Sequence, residues 1–506
     1  MTALRRLLIC ITLSASALAQ STADLQALAD AIVRDDRDAA RPIIDHASSL
    51  DQQIFGATPL HLAAEYGRSE IAKMLLDRGV SVDSIDSIGR TPLLWAAENQ
   101  HIDVARLLLL HGANPNQEDP SRFRGPLDKT PSDTALDYAL VAGDIDLCRL
   151  LFEKGAKVGP NDFTRLERAI QSGKPPLLLM LLDKGVLPTA HSKEGLNAFT
   201  TAGTSNNVEM IKILVDKSRH SPEMRNMLND ALQHSAERGT TAVANFLLEK
   251  TPVDVNREVE SNYGGVERLD SDEKKVPGFT ALSRAIEQNH GDIAQALLQK
   301  GAHIVGRTRS GAPILNFVIS QNRNDLFRLL IKSNPSLEQA DYDGRTALMT
   351  AALLGNHEIV KTLLEKGAKV TTRDKVGATA LIIASGAGQI SVAEYLLSHG
   401  ASLSECDNDG RDVLMHAAIG GHAGICSELI SKGAKINAVE AKTGMTALHW
   451  AAKNGRTAAV KELLARGAAR DVPDKDGKKP IDYAQLAGDP DCISLLSEPA
   501  APKPPR

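Results

Sequence analysis

The most chemistry-bearing cluster in the chain is His416, His422 and Cys426. His422 and Cys426 stand four apart, on one face of a helix, and imidazole with thiolate is a ligand set that suits zinc. His357-Glu358 opens the H-E-x-x-H pattern, in which two histidines one turn apart hold the ion and the glutamate acts as base. Lys361 stands where the second histidine belongs. Asp341-Tyr342-Asp343-Gly344 and Asp407-Asn408-Asp409-Gly410 supply alternate carboxylates, as the first half of a calcium loop does. They lack the later acidic ligands and read as turns. No G-x-S-x-G, C-x-x-C, G-x-G-x-x-G or phosphate-cradling loop occurs. The residues therefore point to a protein that is not an enzyme and takes no cofactor or metal.

The elements that carry these residues repeat. ATPLHLAAEYGRSEIAKMLLDRGV from Ala57, RTPLLWAAENQHIDVARLLLLHGA from Arg90, RTALMTAALLGNHEIVKTLLEKGA from Arg345 and MTALHWAAKNGRTAAVKELLARGA from Met445 are variants of one unit. Thr58 to Thr91, Thr346 to Thr379 and Thr379 to Asp412 each span 33 residues; Asp412 to Thr446 and Thr446 to Pro480 span 34. A fixed period of this size means stacked units of one supersecondary type. Thr58 suits an N-cap and Pro59 the first helical position, where a missing donor costs nothing. Leu60 and Ala63-Ala64 form an inner face, Gly67 ends the first helix, and Ile71, Met74 and Leu75 keep helical spacing in a second. Gly79, Gly112, Gly367, Gly433 and Gly467 sit where a left-handed residue closes it. In this alignment His416 takes the place of Leu62, Trp95 and Trp450, a place expected to be core.

Thr58-Pro59-Leu60-His61-Leu62-Ala63 is the T-P-L-H-x-A signature, and the chain resembles the ankyrin-repeat family from about residue 22 to residue 497. The resemblance implies an all-α solenoid of helix-turn-helix units with β-turn tips, about 14 units including caps. The organisation expected is a signal peptide at 1–19, capping helices at 20–54, repeats at 55–256, an inserted loop at 257–277, repeats at 278–470, a capping repeat at 471–498 and a proline-rich tail at 499–506. Units centred on Ala169, Ala202 and Ser235 lack the Thr-Pro start. The stretch 160–256 is thus expected to open more readily than 344–470. Two insertions break the period, around 117–131 and 257–277. Arg122, Phe123 and Arg124 lie in the first and Tyr263 and Arg268 in the second; both read either as tolerated surface loops or as binding loops.

Composition fits this picture. The chain has 506 residues, 42% hydrophobic, 24% charged and only 3% aromatic, so its core is aliphatic. The 58 basic and 63 acidic residues, net charge -5, are mixed along it, so no nucleic-acid partner is expected. No apolar run reaches the roughly 20 residues that span a bilayer, so no membrane insertion is expected. The opening MTALRRLLICITLSASALAQ places Arg5 and Arg6 before an apolar stretch, Leu7 to Leu18, and Ala17-Leu18-Ala19 before Gln20, the pattern of an export signal. The expectation is an exported, periplasmic monomer, or one secreted to act on another cell. Cys148, Cys406, Cys426 and Cys492 are too few for a disulfide framework and read as buried free thiols.

With no catalytic constellation, function is left to surface shape. The resemblance implies a protein partner bound by the turn tips and the concave, exposed side of the first helices. At the tips stand Phe55, Ile88, Tyr342 and Val376; on the helices Tyr66, Leu353, Leu354 and Ile419; Arg345 and Arg411 add polar contacts at the rim. Tyr342, Leu353, Leu354 and Val376 are expected to form one apolar patch. The alternative is that Leu353 and Leu354 pack as core under the next unit.

Overall fold

The computed structural model describes residues 23–47, 49–122, 133–192, 195–258, 279–304, 307–308 and 311–498. The expected signal peptide, the C-terminal tail and most of both insertions, with Phe123, Arg124, Tyr263 and Arg268, lie outside the described residues. Among those described there are helices, turns and isolated bridges but no strand.

The chain divides into two compact units between Val253 and Asp254, just before the longer insertion. The first holds seven helix pairs, from 23–34 with Arg37–His46 to Met224–Arg238 with Thr241–Lys250. The second also holds seven, from Ala281–Glu287 with Gly291–Gln299 to Pro480–Ala487 with Pro490–Ser497. Within each unit, first helices pack on first helices and second on second.

Each pair is made as its sequence dictates. Pro59–Glu65 opens with Thr58 accepting from the His61 N–H, Pro59 occupies its first turn, and Gly67 follows with φ +67°. Leu60, Ala63 and Ala64 are buried, as are Ile71, Ala72 and Leu75 of Ser69–Asp77. The small alanines bring neighbouring first helices close. Burying a leucine contributes about 2 kcal/mol, and the same inner positions recur in every unit.

The last pairs of the first unit are better capped than their sequence suggests. Asp162 accepts from the Arg165 N–H and Asn197 from the Thr200 N–H, so two of the three units lacking Thr-Pro have another cap. Of the first helices of these three units, Met224–Arg238 alone starts without a side-chain cap. Its neighbour compensates: Ser235 Oγ and Thr240 Oγ1 both donate to the Gly203 carbonyl, at 2.9 and 2.6 Å. A buried ion network also joins adjacent pairs here. Asp137 accepts from Arg165 Nη2 at 2.8 Å and Arg168 Nη1 at 2.5 Å, and the two arginines hold its carboxyl below the usual range against the effect of burial.

Candidate protein-binding face

The turn between pairs is built on one carboxylate. Asp86 Oδ1 accepts the N–H groups of Ile88 and Arg90, at 2.9 and 2.8 Å. Asp341, Asp374, Asp407 and Asp474 do the same for the residues two and four further on. These are Asx turns, not half-built calcium loops.

The second carboxylate oxygen reaches the first helix. Asp86 Oδ2 accepts from Trp95 Nε1 at 2.9 Å, Asp407 Oδ2 from His416 Nε2 at 2.9 Å, and Asp474 Oδ2 from the Tyr483 hydroxyl at 2.6 Å. Glu440 accepts from Trp450 Nε1 at 3.2 Å. The position expected to be core is therefore a hinge between turn and helix: Leu62, Trp95 and His416 are half-buried, and Trp450 is buried up to its bonded ring nitrogen. A ring fills this place because its body packs while its polar edge reaches the carboxylate. His416 is thus committed to Asp407, and His422 lies against Gly388. Among the described residues no group of three histidine, cysteine or acidic side chains could hold a metal.

Successive turns also touch. Ser87 N–H donates to Gly56 O at 2.7 Å, Lys375 N–H to Asp343 O, Asn408 N–H to Val376 O and Lys475 N–H to Thr443 O, each at 2.9 Å. The glycine at or just after each acceptor (Gly56, Gly344, Gly377 and Gly444) has φ near +80° and little room for a side chain: a Cβ on Gly344 would stand 2.8 Å from the Lys375 nitrogen. The tips are thereby locked in one geometry.

A buried row links one pair to the next. Thr58 N–H donates to His61 Nδ1 at 3.3 Å, while His61 Nε2 donates to Arg90 O at 2.9 Å. Thr446, His449 and Lys478 repeat this at 3.1 and 3.2 Å. Because a backbone N–H can only donate, both rings are held as the neutral Nε2–H tautomer. Burial lowers both imidazole pKa values. Asn316 Nδ2 makes the equivalent bond, to Arg345 O at 2.7 Å.

The family model for ankyrin repeats, a three-copy description, matches residues 28–119, 166–259, 305–374, 372–440 and 437–504. The chain belongs to the ankyrin-repeat family. Its repeats make it a protein-binding scaffold of the kind that is typically not an enzyme. A comparison with curated proteins finds no match.

On this ankyrin scaffold the expected tip residues are exposed: Phe55 by 89%, Ile88 by 54%, Tyr342 by 59% and Val376 by 61%. Leu353 and Leu354 are exposed, so they are not core under the next unit, and Tyr66 is partly exposed. Ile419 is half-buried. Arg345 lies 3.8 Å from Asp343, and Arg411 lies 2.8 Å from Asp409 and over the Trp450 ring at 4.7 Å. Tyr342 precedes the helix Ala347–Leu354 and Leu354 ends it, and eight helical residues span about 12 Å. Tyr342 also lies against Gly311 beneath Arg307, so its ring is part of the turn stack. Sequence reasoning missed Lys453 and Lys478, which crowd the Trp450 and Tyr483 rings. Aligning the residue seven after each helix-opening threonine would have shown Lys453 standing where Glu98 stands.

Among the described residues no helix is long and apolar enough to cross a membrane. Cys148, Cys426 and Cys492 are buried and free, while Cys406, expected to be buried, is half-exposed. Burial pushes the Cys148 and Cys426 thiols up to about 12, which keeps them protonated and unreactive.

Proposed function

We propose that the chain is an exported scaffold that holds a partner protein on the first-helix face of its second unit. The observation that carries this reading is the exposed pair Leu353–Leu354, 41% and 50% exposed, on a helix whose turn is bonded to the following turn through Asp343 and stacked on the preceding one through Tyr342 and Arg307. Apolar side chains on a rigid edge bind without an ordering cost. The arginine pair, the apolar stretch and Ala17-Leu18-Ala19 support export to the periplasm.

The test is affinity capture from the native envelope fraction with the full chain as bait. Leu353→Ala combined with Leu354→Ala is expected to weaken recovery of the captured protein about tenfold, from the loss of roughly 1.4 kcal/mol of contact. The melting temperature should stay near wild type, since both side chains are exposed. Full recovery with the folded double variant would move the site off this face.

A further inference from the structure

One scaffold carries opposite charges at equivalent places. Glu98 and Lys453 each stand seven residues after the threonine that opens their helix, Thr91 and Thr446, and Trp95 and Trp450 are equivalent in the same way. Beside Trp95 the cation is neutralised. Arg90 lies 5.7 Å from the ring centroid, its Nη2 is 2.5 Å from Glu98 and its Nε 3.1 Å from Asp119, and the side chain is only 12% exposed. Beside Trp450 the place of that glutamate is taken by a second cation. Lys453 Nζ lies 4.8 Å from the Trp450 centroid and 5.7 Å from that of Tyr483, and Lys478 Nζ lies 5.6 Å from Tyr483. Both lysines are exposed, and their ammonium groups rest on aromatic faces rather than on carboxylates.

Most of the nearby carboxylates are hydrogen-bonded within their own turns and caps. Glu440 accepts from the indole of Trp450 and Asp474 from the Tyr483 hydroxyl. Asp482 accepts the Lys479 N–H, and Asp489 caps its own helix. Arg411 is paired with Asp409 at 2.8 Å. Asp476 is exposed on the turn. Lys453 and Lys478 thus stack on rings, whereas the cation at the equivalent site in the first unit is paired with Glu98 and Asp119.

Resting on the scaffold reading above, we propose that this face takes an extended acidic segment of the partner protein. Carboxylates lie on Lys453 and Lys478, and aliphatic side chains lie on Leu353 and Leu354. Charge complementarity selects the occupant. The geometry sets its length. Leu353, Gly386, Ile419 and Lys453 occupy one place in four successive pairs. At 8–10 Å per step the separation is about 27 Å, or about eight extended residues at 3.3 Å each. Gly386 keeps the floor between low, its nearest neighbour to a notional Cβ being 3.8 Å away.

The experiment uses fluorescein-labelled ten-residue peptides with two leucines at one end, a serine spacer and two glutamates at the other. They are made in both chain directions, and a matched pair carries lysine in place of glutamate. Anisotropy with the full chain is expected to show binding of one acidic direction, weakening with salt, and no binding of the lysine peptides. Lys453→Glu with Lys478→Glu should weaken it at least tenfold, and the Glu98 site shows that the scaffold accepts a glutamate there. Equal binding of the lysine peptide, an unchanged double variant, or no binding in either direction would overturn the proposal. If capture still depends on Leu353 and Leu354 in that event, the scaffold reading stands and only the acidic partner falls.

Discussion

Gly203→Val is expected to lower the stability of the first unit by about 3 kcal/mol, the opposite sign from an ordinary helical glycine. In most helices, replacing glycine gains about 1 kcal/mol, because the chain loses less entropy on folding. Here a Cβ would stand 2.7 Å from the Ala231 carbonyl oxygen and 3.0 Å from its Cα. Those atoms belong to the backbone of Met224–Arg238 and cannot swing aside. Forcing the helices apart also stretches the bonds from Ser235 and Thr240 to the Gly203 carbonyl. Gly386 is the internal control. It ends the helix Ala380–Gly386 and its Cβ would meet nothing closer than 3.8 Å. Gly386→Ala is expected to gain about 0.5–1 kcal/mol. Urea denaturation followed by circular dichroism reads both, and a raised midpoint for Gly203→Val would contradict the close contact.

Mild acid is expected to loosen the chain at two defined joints, His61 and His449. Each folded imidazole has its pKa lowered, below the ordinary value near 6.5 that it regains on unfolding. The unfolded state therefore binds the proton more readily. The stabilising contribution is complete above pH 6.5 and is lost as pH falls through 6.5 towards the folded value. Protonating Nδ1 sets a proton against the Thr58 or Thr446 N–H, and a buried donor left without its acceptor costs about 1–3 kcal/mol. The chain contains its own remedy, since Asn316 makes the same bond to the next pair and does not titrate. His61→Asn with His449→Asn is expected to flatten the fall in melting temperature between pH 7 and 5 while keeping most of the stability at pH 7. An unchanged slope in the double variant would assign the acid sensitivity to other groups.

The fold was legible in the sequence because the repeat is enforced by steric and capping demands at particular residues. Thr58-Pro59 can only open a helix, and Gly79 can only close one. The caps of the units centred on Ala169 and Ala202 escape a motif keyed to Thr-Pro, because Asp162 or Asn197 caps a helix as readily as threonine. The place of Trp95, His416 and Trp450 is core only at Trp450; at Trp95 and His416 the ring stays half-buried, because an aromatic ring signals burial but carries a polar edge. Its polar edge matters only once Asp86, Asp407 and Glu440 are seen nine or ten residues earlier. At the candidate face the period placed Phe55 and Ile88 at the tips, while Leu353 and Leu354 read equally as core until their surroundings were seen. The separation of Tyr342 from Leu354 needed the helix between them. The unneutralised charge of Lys453 emerged only from comparing equivalent places in two units.

Hydrogen exchange on the full chain, free and bound to its captured partner, tests the binding face most directly. New protection is expected in the turns 341–345 and 374–378 and in the helices Ala347–Leu354 and Ala447–Lys453. Protection confined to the second helices, such as His357–Glu365 and Ile390–Ser398, or to the first unit, would contradict the assignment.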